Sequence, residues 1–222
     1  NLKTLQKMSL QKPVVWTLHD MWAFTGFSSD SATLKNPNPK KFLLYLWDNT
    51  ALLLRIKKSI YSKSKLYIMA VSEWIKKEAE KGVLVGQFTM RIYNGIDVDI
   101  FKPYNKILTR KELGLPLDKK IVAFGIKGWP DSNKIVDSYE GNEGVFFVSV
   151  GHSNIKTTNK NYLSLPHTHD RQLLAKYLSA VDVFFYPTQG DSFGLISAEA
   201  LSCGTPVVTY NIDALPEIVS HK

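Results

Sequence analysis

One cysteine, Cys203, stands in the 222-residue sequence. No disulfide can form within the chain, no zinc site built on several thiolates is available, and a reducing cytoplasm fits this usage. No apolar run approaches the length of about 20 residues that a membrane-spanning helix needs, since the longest clusters, 42–54 and 145–150, are interrupted or short. No Gly-x-Gly-x-x-Gly follows a strand-like run, which removes the signature of dinucleotide-binding oxidoreductases. Internal repeats are absent, and no signal-peptide pattern opens the chain. Aromatic residues fall inside apolar runs instead of alternating with lysines on one face, so nucleic acid is not an expected partner.

What is present is an ordinary folded composition, 44% hydrophobic and 12% aromatic, with an uneven charge. Residues 1–113 hold 19 Lys and Arg against 9 Asp and Glu, a net +10; residues 114–222 hold 9 against 11, a net −2. A basic half of this kind fits an anionic membrane surface, and it fits equally a surface made soluble by scattered lysines.

Short apolar runs alternate with helix-permissive stretches from end to end, which predicts an α/β fold built from parallel βαβ units. The expected strands are 13–18, 66–71, 90–93, 121–125, 145–151, 162–165 and 183–186. Helices are expected over 42–61, from the cap Ser72 to Gly82, over 171–179, and from Leu195 to a stop at Gly204 and Pro206. The polar stretch 102–120, with Pro103, Gly114 and Pro116, reads as a domain connection. Between Lys134 and Val145 the chain looks too short for a crossover helix.

The segment with the most chemistry follows strand 183–186. Gly190 to Ser192 form a turn, Ser192 is a candidate N-cap, and the helix that follows aims free amides at whatever lies beyond the strand's end, a site suited to a diphosphate. Asp191 and Glu199 then lie about 12 Å apart along the axis, at about 1.5 Å per residue. That reach suits an elongated ligand with a sugar at one end and a ribose at the other. The spacing alone also fits two surface charges that complement the helix dipole.

Pro187-Thr188, Asp191-Ser192-Phe193-Gly194, Glu199-Ala200 and Cys203-Gly204-Thr205-Pro206-Val207-Val208 resemble the nucleotide-sugar site of retaining glycosyltransferases of family 4, with Asp191 where a Glu is commoner. Trp16-Thr17-Leu18-His19-Asp20-Met21-Trp22-Ala23-Phe24-Thr25-Gly26, Ala70-Val71-Ser72-Glu73-Trp74-Ile75, Tyr93-Asn94-Gly95-Ile96-Asp97 and Phe101-Lys102-Pro103 resemble, in order, motifs of the bacterial polysaccharide-type members. The resemblance implies a GT-B fold, two Rossmann-like βαβ domains facing across a cleft, with 1–105 a partial acceptor-side domain and 106–222 a partial nucleotide-sugar-binding domain. Further chain is expected on both sides. The implied activity is transfer of a sugar from a nucleotide-sugar donor to a glycan or lipid-linked acceptor, with retention, in bacterial polysaccharide synthesis. Such an enzyme would be cytoplasmic and peripheral on the inner face of the membrane, with that anionic surface as a partner.

By the same resemblance, Glu199 holds the ribose, the stretch Ser192, Phe193, Gly194 and Leu195 meets sugar and phosphate, and Asp191 meets sugar hydroxyls. His19 faces the reaction centre. Lys134 matches a phosphate-binding lysine by spacing, although Ile135 replaces the usual glycine, and Lys127 lies near the place of an arginine. His19, Asp191 and Lys134 are the expected catalytic residues; Lys127 and Lys134 join the donor-binding set. Taken by position alone, His19 and both lysines also fit ordinary surface groups. No cofactor and no metal is implied. The chain departs from the pattern at Phe27-Ser28-Ser29-Asp30, where relatives often carry cysteines. A non-catalytic module that binds a nucleotide sugar remains open beside the enzyme, because the arginine is replaced.

Overall fold

The computed structural model describes residues 2–26, 49–125, 132–151 and 157–220. The chain forms two compact units, one made of 1–94, 189–193 and 212–217, the other of 95–188, 194–211 and 218–222. The division falls between Asn94 and Gly95 instead of after residue 105, and two later segments return to the first unit. Phe101 is the reason the boundary comes early: it is buried in the core of the second unit.

In the first unit, α1 (Leu2–Gln11), β1 (Val14–Leu18), α2 (Thr50–Tyr61), β2 (Leu66–Ala70), α3 (Glu73–Lys81) and β3 (Phe88–Arg91) follow one another. The strands form a parallel sheet in the order β1-β2-β3. Along β2, Leu66, Ile68 and Ala70 are buried while Tyr67 is 46% exposed, the period of two expected when one sheet face is covered. Val15, Tyr67 and Phe88 are in register and open to solvent on the other face. α3 begins as its sequence predicts: the Ser72 hydroxyl accepts from the Ile75 amide at 3.1 Å, and the helix ends at Gly82. β3 sits two residues earlier than expected, because its side chains show no alternation that would mark a register.

The second unit runs α4 (Lys106–Glu112), β4 (Lys120–Gly125), α5 (Ser132–Ser138), β5 (Val145–Val150), β6 (Tyr162–Leu165), α6 (Arg171–Ala180), β7 (Val183–Tyr186), α7 (Leu195–Ser202) and β8 (Val207–Thr209); α8 (Leu215–Ile218) lies mostly in the segment 212–217 that returns to the first unit. Its five strands are parallel, in the order β6-β5-β4-β7-β8. Ile121, Ala123 and Val148 pack with α6 and α7 on one face, and Phe124 and Phe147 pack with Val136 on the other. Sheets buried on both faces read as continuous apolar runs, which is how β5 and β7 appear in the sequence.

Two expectations change here. The stretch 102–120 is not a plain connection, since Asn105 caps α4 by accepting from the Leu108 amide at 3.0 Å. Arg110, 6% exposed, donates to the Ala180 carbonyl at 2.8 Å and to the Asp182 carboxylate at 2.7 Å. Asp182 also accepts from the Ile121 amide and from Lys106. Burial raises the Asp182 pKa, but that amide, Arg110 and Lys106 together hold it below the usual carboxylate range. The polar helix is thus tied into the core by charge. Likewise, the link from β4 to β5 does contain a helix, α5, of seven residues.

Candidate functional site

In the first unit the site is built on the turn that leaves β1. His19 and Asp20 follow Leu18 directly, and with Trp16, Thr17, Trp22 and Ala23 they line a cavity of about 310 Å³. The turn is held from several sides. The Trp22 amide donates to the Asp20 carboxylate at 2.9 Å, and the Phe24 and Thr25 amides donate to the Met21 carbonyl. From α2, Tyr61 donates to the Ala23 carbonyl at 3.0 Å, and burial pushes its phenol up to about 12. Lys57, only 1% exposed, donates to the carbonyls of Trp22 and Thr25, the latter at 2.8 Å. Burial pulls its pKa down and the charge of Asp20 opposes that pull. Gly26 is required because a Cβ there would lie 2.5 Å from Thr50 Cγ2. Lys57 is therefore one of the cations of the basic half that does not contribute to its surface, because its ammonium points inward to two carbonyls.

Residues 189–193 belong to the same unit. Ser192 donates to the His19 carbonyl at 2.6 Å, so the loop after β7 brings Asp191 and Ser192 to the turn that carries His19. Asp191 closes a local turn by accepting from the Phe193 amide at 2.9 Å. Phe193, 4% exposed, packs its ring against Tyr93 at 6.1 Å between centroids. Tyr93 donates to Glu217 at 3.1 Å, and Glu217 accepts from the Glu73 and Trp74 amides at 2.7 and 2.8 Å. A carboxylate at the first turn of α3 complements its free amides and dipole. Sequence reasoning missed Tyr93 and Glu217 as partners; 124 residues separate them, and no local pattern links them.

In the second unit the chain moves from β4 outward through β5 to β6, then returns to β7 beside β4 and goes on to β8. The connections leaving β4 and β7 thus diverge at the carboxyl ends of adjacent strands, the crevice where open α/β sheets bind ligands. Both candidate helices start there. α7 follows β7, with Gly194 as its cap at φ 87°. Ser192 is not that cap, since the chain passes through the left-handed region at Gly194 before turning helical, a step open to glycine. Leu195 opens the helix, 45% exposed. Glu199 lies one turn further on, and burial pushes its carboxyl up to about 7 against the opposing charge of Arg171. Lys134 is an exposed residue of α5, the helix after β4. Lys127 lies outside the described residues.

The sequence reading also passed over one carboxylate pair. Asp97-Val98-Asp99 has the Asp-x-Asp spacing. Asp97 accepts from the Asp99 amide at 3.2 Å and from Arg171 at 3.3 Å, which makes the pair a turn anchored to α6. Among the described residues, no group of three or more His, Cys, Asp or Glu is arranged to hold a metal ion.

Comparisons with known proteins bear on this geometry. Residues 134–222 match the family described as Glycosyl transferases group 1. Over 149 residues the chain is 30% identical to the D-inositol 3-phosphate glycosyltransferase of Mycobacteroides abscessus, covering 59% of this chain and 33% of the relative. The enzyme of that name from Mycobacterium tuberculosis is 28% identical over 146 residues, 58% of this chain and 30% of the relative. The chain therefore spans about a third of the length of these relatives. Among solved structures, the HepE protein of Anabaena in complex with UDP aligns with TM-score 0.68 and 18% identity, covering 100% of this chain and 61% of that one. Sucrose-phosphate synthase of Thermosynechococcus elongatus aligns with TM-score 0.66 and 19% identity, covering 90% and 51%. The chain thus has the parallel α/β fold of GT-B glycosyltransferases, and its carboxyl-terminal part, 134–222, is similar to the Glycosyl transferases group 1 family.

Proposed function

We propose that the protein is a retaining glycosyltransferase that moves a sugar from a nucleotide-diphosphate donor to a glycan or lipid-linked acceptor in bacterial polysaccharide synthesis, in the cytoplasm. One observation carries the reading. Gly194 starts α7, the helix that follows β7 in the five-stranded sheet, inside the residues that match the transferase family, with Glu199 following on the same helix. First-turn amides there stabilise a departing diphosphate, and a carboxylate further along suits the ribose. UDP is the nucleotide this reading favours, because HepE was captured with UDP and with UDP-glucose. Radiolabelled transfer by the full-length protein from UDP-sugars to membrane glycolipid extracts tests it. Binding without transfer would leave a nucleotide-sugar-binding module, and neither binding nor transfer would sink both readings.

The transfer we propose needs no metal, because lysines and helix amides supply the positive field that a divalent ion would otherwise provide. Activity should therefore persist in EDTA. Loss on chelation, restored by magnesium or manganese, would contradict this.

An anionic membrane surface is the proposed partner of the basic half. α2 exposes Leu52 and Ile56, 55% and 41%, among the exposed Arg55 and Lys58, with Lys63 and Lys65 just beyond the helix. Each such charge contributes about 1 kcal/mol near an anionic leaflet, so four suffice for reversible attachment. Co-sedimentation at low salt should show capture by anionic vesicles and not by neutral ones, declining as salt rises. Equal capture by both, or by neither, would reduce the basic half to a solubility feature.

A further inference from the structure

We propose that Trp22 is a preorganised stacking platform for a saccharide ring, that of the acceptor, and that the cavity lined by Trp16, His19 and Asp20 is its subsite; the assignment to an acceptor rests on the transferase reading above. The indole is 45% exposed, unusual for a side chain of this size on a turn otherwise buried from Met21 to Gly26. It is nonetheless fixed. Its backbone amide is bound by Asp20, its carbonyl accepts from Lys57, and the Lys57 ammonium stands 4.0 Å from its ring centroid. An ammonium withdrawn from water is costly unless well partnered; here two backbone carbonyls partner it while it stands over the one aromatic ring that the turn presents to solvent.

With the cation over one face, the exposure of the ring falls on its opposite face and edge. A flat, rigid, open aromatic surface gives contact area at little entropic cost to a ligand that lies on it. The neighbouring groups narrow the ligand. Among the described residues, neither the His19 imidazole nor the second oxygen of Asp20 is held by another side chain, and Thr17, near the end of β1, is exposed. A purely apolar ring seated on Trp22 would strip water from these groups and leave them unpaired. A pyranose has both surfaces required: C–H bonds on its face for the negative π cloud and hydroxyls on its rim for a carboxylate and an imidazole. A volume of about 310 Å³ is that of a site for one or two such rings rather than for a large lipid.

The test uses the full-length protein labelled with 15N-tryptophan, with the Trp22 indole resonance assigned by its loss in Trp22→Phe. Methyl α-glucopyranoside and methyl α-galactopyranoside at millimolar concentration serve as acceptor-ring probes, UDP-glucose as the donor probe and cyclohexanol as the apolar ring. At least one glycoside should shift the Trp22 indole, and UDP-glucose and cyclohexanol should leave it in place. Trp22→Ala should weaken binding of that glycoside about tenfold, Trp22→Phe should recover most of the loss, and calorimetric affinity for UDP-glucose should be unchanged in both. No shift with either glycoside, an equal shift with cyclohexanol, or a shift with UDP-glucose accompanied by a loss of calorimetric UDP-glucose affinity in Trp22→Ala would overturn the proposal. If glycosides shift Trp22 but the protein transfers no sugar, the saccharide subsite stands and the transferase reading fails.

Discussion

Glu199→Gln should weaken nucleotide-sugar binding by about 1.5 to 3 kcal/mol at pH 8 and leave the fold intact, because a carboxylate that accepts two ribose hydroxyls makes charge-assisted bonds that an amide replaces only in part. The position of the residue makes the test specific. Burial pushes the Glu199 carboxyl up to about 7, so at pH 6 most of the free protein carries it protonated and at pH 8 most carries it ionised. Wild-type affinity for the donor should therefore rise with pH through about 7 and level off above it, while the Gln variant, neutral throughout, should show no such rise. The two proteins should approach one another at low pH. The stability effect has the opposite sign. A carboxyl whose folded pKa lies above its ordinary value holds more protons in the folded state between about 4.5 and 7, so its contribution is fully present at low pH and is lost as pH rises through 7. Calorimetric titration with UDP-sugars from pH 5.5 to 8.5 reads both curves. Equal affinities at pH 8, or a pH dependence that survives in the variant, would remove Glu199 from the donor site.

Much of this architecture is legible in the chain, and the parts that are not share a cause. Tyr162–Leu165 and Val183–Tyr186 are found where the apolar runs predict them, and Ser72 caps α3 as its sequence position suggests. Those features are local. α4 escaped because its two buried residues are Thr109 and Arg110, and a helix anchored by a buried guanidinium carries no apolar stripe to find. Ser192 looked like a cap because it is a good one, but its hydroxyl is taken by the His19 carbonyl, 173 residues away. Lys57 did carry a signal: it stands three and four residues before Ile60 and Tyr61, on the inward stripe of α2. A lysine at such a position is either an error in the period or a buried cation with a task. Its two carbonyl partners and the Trp22 ring identify the second.

If the proposed transfer holds, Lys134→Ala should lower turnover of the full-length protein by about a hundredfold, with a smaller loss of donor affinity, because a cation placed against the charge that grows on a departing diphosphate acts mainly in the transition state. The motivation is topological. β4 and β7 are neighbours, with Phe124 opposite Phe185, and the helices that follow them, α5 with Lys134 and α7 with Glu199, both begin at the carboxyl ends of that pair. A donor whose ribose is held from α7 would extend its diphosphate across this crevice, where a long, exposed side chain on α5 has the reach to meet it. Lys134→Arg keeps the charge and should recover part of the rate, whereas Lys134→Gln keeps the length without the charge and should not. Initial rates at saturating donor, set beside calorimetric affinities for the same variants, separate the transition-state effect from simple binding. Turnover within twofold of wild type in Lys134→Ala would move the anchor elsewhere, and a hundredfold loss in Lys127→Ala instead would assign it to Lys127. A loss of affinity as large as the loss of rate would make Lys134 a residue of uniform binding, one that holds the donor without favouring its cleavage.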